Sequence, residues 1–362
     1  MNSISKLTLS LLCLTTSAWA DNPVNDAIVP QDPKNPILES LWDPARVDSH
    51  APIGVMGDHT HSAGEIMLSY RYMQMAMGGH RSGTDSLSSQ EVYHRGFGAA
   101  ATQMDMHMHM FGMMYAPSDW LTLMAMVNYI EKDMHLVAAP ATGHGHGHGG
   151  GHAHTGTFGH SSAGAGDVTL GGLIKIYDAN RQRIHLNLSL GLPTADVDEM
   201  QDGVFLPYGM QLGRGTWNIR PGLTYLGQTD RLSWGAQAIG TFDLEEENDS
   251  GFSYGNNVNT TAWLAIPLTD CLSISGRINY FHEDAIDGHY NGAHNHVAPP
   301  HFQPNYGGDY LDGGLGLNFY ASGGFFQGHR LALEWLFPLY QDLNGVGMER
   351  DHSFVVGWQK SF

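Results

Sequence analysis

Gln182-Arg-Ile-His-Leu-Asn-Leu-Ser-Leu-Gly-Leu192 alternates strictly, with Ile184, Leu186, Leu188, Leu190 and Leu192 on one side and Arg183, His185, Asn187, Ser189 and Gly191 on the other. A period of two places successive side chains on opposite faces of an extended chain, so this stretch reads as a strand with one apolar and one polar face. The segment before it behaves alike: Val168, Leu170, Ile174 and Ile176 oppose Asp167, Thr169 and Lys175, and Tyr177 to Arg181 makes the turn between them. Upstream, Glu65 to Met75 sets Ile66, Leu68, Tyr70 and Tyr72 against Glu65, Ser69 and Arg71. The same alternation predicts strands near 103–115, 119–130, 208–225, 231–242, 258–268, 271–281, 309–320, 329–339 and 352–362, about twelve in all.

The connections alternate in length. Ala116 to Asp119, Gln228 to Asp230 and Thr269-Asp270 are short, whereas 77–102, 132–165, 193–207, 243–257 and 282–308 are long. Short periplasmic turns alternating with long external loops are expected of an outer-membrane barrel. The final Asp351 to Phe362 puts Phe354, Val356, Trp358 and Phe362 on one face, a terminal strand like those of bacterial outer-membrane barrels. At the other end, residues 1–20 carry Lys6, an apolar run from Leu7 to Leu14 and Ala18-Trp19-Ala20, the small-x-small pattern of a cleaved signal peptide. Cleavage there removes Cys13 and leaves Cys271, too few thiols for a disulfide framework or a thiolate metal cluster. The segment 21–63, punctuated by Pro23, Pro30, Pro33, Pro36, Pro44 and Pro52, reads as an irregular arm or plug, and 64–362 as the barrel. The fold class is therefore all-β: an antiparallel, up-and-down transmembrane barrel of about twelve strands in a Gram-negative outer membrane.

Composition narrows the function. With 36 acidic against 17 basic residues and a net charge of −19, the chain lacks the basic face that nucleic acid needs. A mean hydropathy of −0.24 excludes a polytopic helical membrane protein, though not a barrel, which needs apolar residues only at alternate positions. Glycine, at 46 of 362 residues, is about twice its usual ~7% share and falls into turns, small wall positions such as Gly313, Gly314 and Gly316, and a histidine-glycine tract.

Four stretches carry a family resemblance: YAPSDWLTLMAMVNY (115–129), LGLPTADV (190–197), LPYGMQLGRGTWNIRPGLTYLG (206–227) and GHRLALEWLFPLYQ (328–341). They resemble the outer-membrane family named for the meta pathway of phenol degradation, over most of 55–362. The resemblance implies an outer-membrane transporter barrel, no catalytic residues and no shared ligand. The histidine-rich loop and a methionine-dense second strand are additions to that pattern.

Histidines supply the candidate sites. Gly143 to His154 places His144, His146, His148, His152 and His154 on a glycine-rich loop, with His160 beyond; mobile imidazoles of this kind can gather round Zn, Ni or Cu ions. In Met104-Asp-Met-His-Met-His-Met110, lipid is expected to take the methionine face, turning Asp105, His107 and His109 into the lumen as a second ligand set. Met67, Met73, Met75, Met124 and Met126 fall on the inward face, where thioethers suit Cu(I) or pack against a plug. Asp58, His59 and His61 stand at the mouth of the barrel, and His282, His289, His294, His296 and His301 share a long loop. Ser69, His185 and Asp312 offer lumen hydroxyl, imidazole and carboxylate groups without a motif joining them, so no enzyme is expected and no cofactor is required.

Three functions are consistent with this reading. The first is a channel passing small solutes, with divalent transition metals as specialised cargo held at weak sequential sites. The second is passive uptake of hydrophobic or aromatic compounds. The third is metal sequestration or sensing without transport, with the arm blocking the lumen. The expected partners are outer-membrane lipid, the barrel-assembly machinery, and the small solute or metal ion.

Overall fold

The computed structural model describes residues 42–140, 156–321 and 323–362. The segment expected to be a signal peptide, the first part of the expected arm and the tract from His144 to His154 lie outside the described residues. Eleven β-elements make the wall: β1 (Ile66–Gly83), β2 (Ala99–Ser118), β3 (Leu121–Ala138), β4 (Val168–Ala179), β5 (Gln182–Leu192), β6 (Asn218–Gln228), β7 (Ser233–Asp243), β8 (Asn257–Pro267), β9 (Leu272–Glu283), β10 (Gly308–Tyr320) and β11 (His329–Ser361). Each pairs antiparallel with its sequence neighbour. β11 returns to β1 with Met67 opposite Ser361, which closes the barrel and abolishes free edges.

β11 is 33 residues long because it turns on itself near Gly345, whose φ of +54° suits a residue without Cβ. Its first limb pairs with β10 and its second with β1. Ten single elements and two limbs give twelve crossing strands. An even count leaves both ends of the barrel chain on the short-turn side, the periplasmic side of such folds.

The faces explain the period of two. In β5, Leu186 and Leu188 are 41% and 48% exposed while His185 and Asn187 between and beside them are 1% and 5% exposed. Leu123, Leu170, Leu264, Leu315 and Val356 extend this outward apolar belt around the barrel, which lipid covers. Tyr115, Trp120, Tyr177 and Phe362 ring its lower rim, and Tyr129, Tyr280 and Tyr340 its upper rim, as interfacial aromatics do.

Several expected boundaries move, β1 running on to Gly83 and β2 starting at Ala99 within the loop expected over 77–102. The strand expected over 208–225 starts only at Asn218, because Tyr208–Met210 forms a tight turn buried under the outer loops. The loop expected over 132–165 is partly wall: β3 continues to Ala138, and Thr157–Ala165 pairs with its upper half, from Tyr129 opposite Ala165 to Val137 opposite Thr157.

Both ends of the lumen are filled. From the short-turn side, residues 42–63 enter and bury Trp42, Val47, Ala51, Ile53 and Val55. From the other side, the long loops fold inward as two apolar clusters, one around Phe205, Tyr208, Phe252, Ile286 and Tyr290, the other joining Leu206, Met210 and Ala298 to Met104 and Met134 of the wall.

Candidate functional site

The plug is held by its backbone. Wall side chains reach its carbonyls: Arg71 Nε donates to Ile53 O at 3.1 Å, Ser273 Oγ to Val47 O at 3.1 Å, His185 Nε2 to Gly57 O at 2.9 Å and Gln237 Nε2 to Met56 O at 2.9 Å, with Arg330 bound to Ala51 O. In the other direction, Gly54 N donates to Glu334 Oε2 at 2.7 Å, and that carboxylate also pairs with Arg277 at 3.2 Å. Gly57 has a φ of +60°, and a Cβ there would stand 3.3 Å from both Asn187 and Leu173, so glycine lets the chain turn close to the wall.

That turn presents the histidines. Asp58 Oδ2 accepts from Ala51 N at 3.0 Å and Oδ1 accepts from His59 Nδ1 at 2.8 Å. His50 lies edge-on to His59 with ring centroids 4.5 Å apart, and His61 follows His59 at 4.8 Å. His61 Nδ1 in turn donates to Glu65 Oε2 at 3.2 Å, and its backbone N–H to Thr122 Oγ1 at 3.0 Å. The ligand atoms of His50, Asp58 and His59 all lie within 4.8 Å of one another. Nδ1 of His50 and Nε2 of His59 and His61 are buried without a hydrogen-bond partner.

Electrostatics set these groups in ligand form. Burial pushes His50 well below the ordinary imidazole value, and Arg330 and His59 push the same way. Burial likewise lowers His61, against the opposing pull of Glu65. For Asp58, burial works upward, but the charge and hydrogen bond of His59, joined by His50 and Arg330, together hold the carboxyl below the usual range. The neutral imidazoles of His50 and His61 beside an ionised Asp58 are in the protonation states that a transition metal binds.

The inward orientation expected for the second ligand set is overturned by register. Asp105, His107 and His109 face outward, and Met104 and Met106 face in. Because Ser69 and Met73 of β1 stand opposite Gly112 and Met108 of β2, the inward odd positions of β1 force even positions inward on β2. The outward histidines survive there because of their height. His109 is level with Tyr72 and Tyr129 in the upper aromatic rim, and His107 and Asp105 lie above it, opposite Glu131 and Asp133. Roughly ten tilted residues cross a bilayer, so the climb from Tyr115 has left the hydrocarbon by Asp105. The Tyr70 and Tyr72 hydroxyls donate to His109 and His107 Nδ1 at 2.8 and 2.7 Å, and Gln103 Nε2 donates to Asp105 at 2.7 Å.

The other sequence candidates separate. His160 sits on the extra strand, its ring 6.3 Å from that of His301. In the outer loop His294 and His296 approach to 4.2 Å between centroids, whereas His282 donates to Asp309 at 2.9 Å. Ser69 and His185 bind the carbonyls of Gly112 and Gly57. His50 was missed in the sequence; its ligand spacing to Asp58 arises only once the Pro52–Gly57 turn folds back.

No protein-family model matches the chain, and no curated protein matches it. Among solved structures, it is similar to an outer-membrane channel from Pseudomonas putida F1, at 11% identity and TM-score 0.56, over 86% of this chain and 100% of that one. It also matches the transport unit of the autotransporter AIDA-I from Escherichia coli (10% identity, TM-score 0.43, 86% and 94% covered) and a Pseudomonas aeruginosa FadL homologue (12%, 0.39, 82% and 90%). The first of these shows the fold, that of an outer-membrane barrel.

Proposed function

We propose that the chain is an outer-membrane channel for small solutes whose periplasmic plug carries a divalent transition-metal site, formed by His50, Asp58 and His59 with His61 beside them, turned by Glu65. The observation that carries this reading is the pair of buried imidazoles, His59 and His61, each with Nδ1 fixed on a carboxylate and Nε2 unpartnered. Carboxylate-to-Nδ1 contacts of this type orient metal-binding histidines, and each buried, unsatisfied nitrogen costs about 1–3 kcal/mol that an ion would offset. Zn²⁺, Ni²⁺ and Cu²⁺ all accept imidazole and carboxylate. A lumen filled at its periplasmic end conducts when the plug shifts, and an ion that binds one plug position better moves that equilibrium.

Calorimetric titration of the refolded chain with Zn²⁺ tests the site. The background protein carries alanine at His144, His146, His148, His152 and His154, so that the loop tract does not contribute. We expect one equivalent bound, weakened tenfold or more by His50→Ala with His59→Ala; equal binding overturns the metal reading. Planar-bilayer conductance that responds to Zn²⁺ in the parent and not in this variant separates transport from sequestration, in which conductance stays closed throughout.

A further inference from the structure

The outer half of the lumen holds a chamber of about 200 Å³ between wall and loops. Six methionines, Met75, Met77, Met104, Met106, Met134 and Met348, reach it, a third of the 18 in the chain. Strand register brings them together. Met77 stands directly opposite Met104, and Met104 directly opposite Met134, a row across three strands; Met75 stands opposite Met106 in the next inward row. Directly opposed side chains have Cβ atoms roughly 4.5–5.5 Å apart, which long, unbranched thioethers easily bridge. On the facing pair, His80 stands opposite Met348. His80 lines the same chamber, is 2% exposed, and its Nε2 is buried without a hydrogen-bond partner.

From this we infer that the chamber binds a soft monovalent cation, Cu(I), through the thioethers of the Met77–Met104–Met134 row and the imidazole of His80. Thioether sulfur selects soft ions and has little affinity for Zn²⁺ or Ni²⁺. Charge argues the same way. Lys132 and Arg350 also line the chamber, against the single carboxylate of Glu283. Thioethers are neutral and leave the ion its full charge, so a monovalent ion meets half the repulsion that a divalent one would. Lys132 is directed elsewhere, its ammonium donating to Gly209 O at 2.9 Å and to Gln211 O, and the Arg350 guanidinium lies over the Tyr310 ring, 3.6 Å from its centroid. Ordinary core packing explains apolar methionines against Leu206 and Met210, but it leaves His80 Nε2 unsatisfied; a metal ion accounts for both. The site is distinct from the plug histidines and does not rest on them.

Competition with a colorimetric Cu(I) chelator under reducing conditions tests it. The refolded chain is used with its loop tract and plug histidines replaced as above, and the variants are Met77→Leu with Met104→Leu and Met134→Leu, and separately His80→Gln. Leucine keeps the volume and the fold, and a heat-modifiable gel shift reports a closed barrel. The expected result is one Cu(I) equivalent retained by the parent and weakened at least tenfold in the leucine variant and severalfold in His80→Gln, with sulfur scattering in the parent's copper X-ray absorption spectrum. Unchanged Cu(I) affinity in the folded leucine variant overturns the inference and makes the chamber an apolar pocket. The methionine and His80 substitutions, made separately in the background that keeps the plug histidines, leave Zn²⁺ binding intact either way, so failure here and failure of the plug site are read separately.

Discussion

The lumen is closed at both ends, by different chemistry. At the periplasmic end, polar wall groups grip a plug by its backbone, and the buried core includes Arg71, Arg277, Arg330, Glu334 and His185. At the outer end, aromatic loops and methionines seal an apolar chamber, with titratable groups at its margin. A polar closure is specific and releasable, because each bond to it has an alternative in water. An apolar closure is stable wherever it excludes water and indifferent to the details of register. For the channel proposed above, the difference makes the plug, not the outer chamber, the part expected to move.

The largest expected effect falls on the polar end. Glu334 is fully buried and holds both Gly54 N–H and Arg277. Removing one partner of a buried ion pair leaves a charge without compensation, at a cost of about 3–5 kcal/mol. Glu334→Ala should lower the thermal midpoint of the barrel and raise its basal conductance by freeing the plug. Conductance unchanged in the folded variant would mean that the plug is held by its other contacts alone.

Acid separates the two ends next. His301 of the outer loops is buried, its Nδ1 is 3.2 Å from Ala298 O, and burial lowers its pKa to about 4. A histidine lowered in the folded state stays neutral there while the unfolded chain takes up a proton, so stability is complete above the unfolded value of ~6.5 and is lost as pH falls towards 4. The shift corresponds to about 3 kcal/mol. His50 and His61 act in the same direction at the plug, whereas Asp58, held low, keeps its contribution in full down to the unfolded carboxyl value of ~3.9 and loses it only below that. Denaturation midpoints measured from pH 7 to 4 should fall, and His301→Gln should remove the part due to the outer loops. A smaller effect, about 1–3 kcal/mol of backbone strain, is expected from Gly57→Val, read as loss of the Zn²⁺ site with the barrel still closed.

Much of this was legible in the sequence, and the reasons it failed elsewhere are physical. Period two, paired with alternating short and long connections, gave the barrel, since only a closed sheet satisfies backbone groups in lipid. His59 and His61 were singled out as candidates by residue type. His50 was not, because the contact between His50 and Asp58 depends on the turn at Gly57. The segment 208–225 looked like one strand because Tyr208 and Met210 are apolar, yet they bury under the loops instead of facing lipid. In Met104 to Met110 the alternation was right and its sense was not: polarity chooses a face only where the wall meets hydrocarbon, Asp105 to His109 stand at or above the upper aromatic rim, and the choice there belongs to pairing with β1.

The smallest effect follows from that reversal and discriminates between the two senses most cleanly. With Asp105, His107 and His109 outside, His107→Ala with His109→Ala removes two hydrogen bonds to Tyr72 and Tyr70, worth about 1 kcal/mol each at the rim. The lumen keeps its methionines, its chamber and its plug unchanged, so metal binding and single-channel conductance should match the parent within error, while the thermal midpoint drops slightly. If conductance or its metal response changed instead, these imidazoles would have to reach the lumen. The register that pairs Met73 with Met108 would then be off by one residue, and with it the methionine row of the chamber.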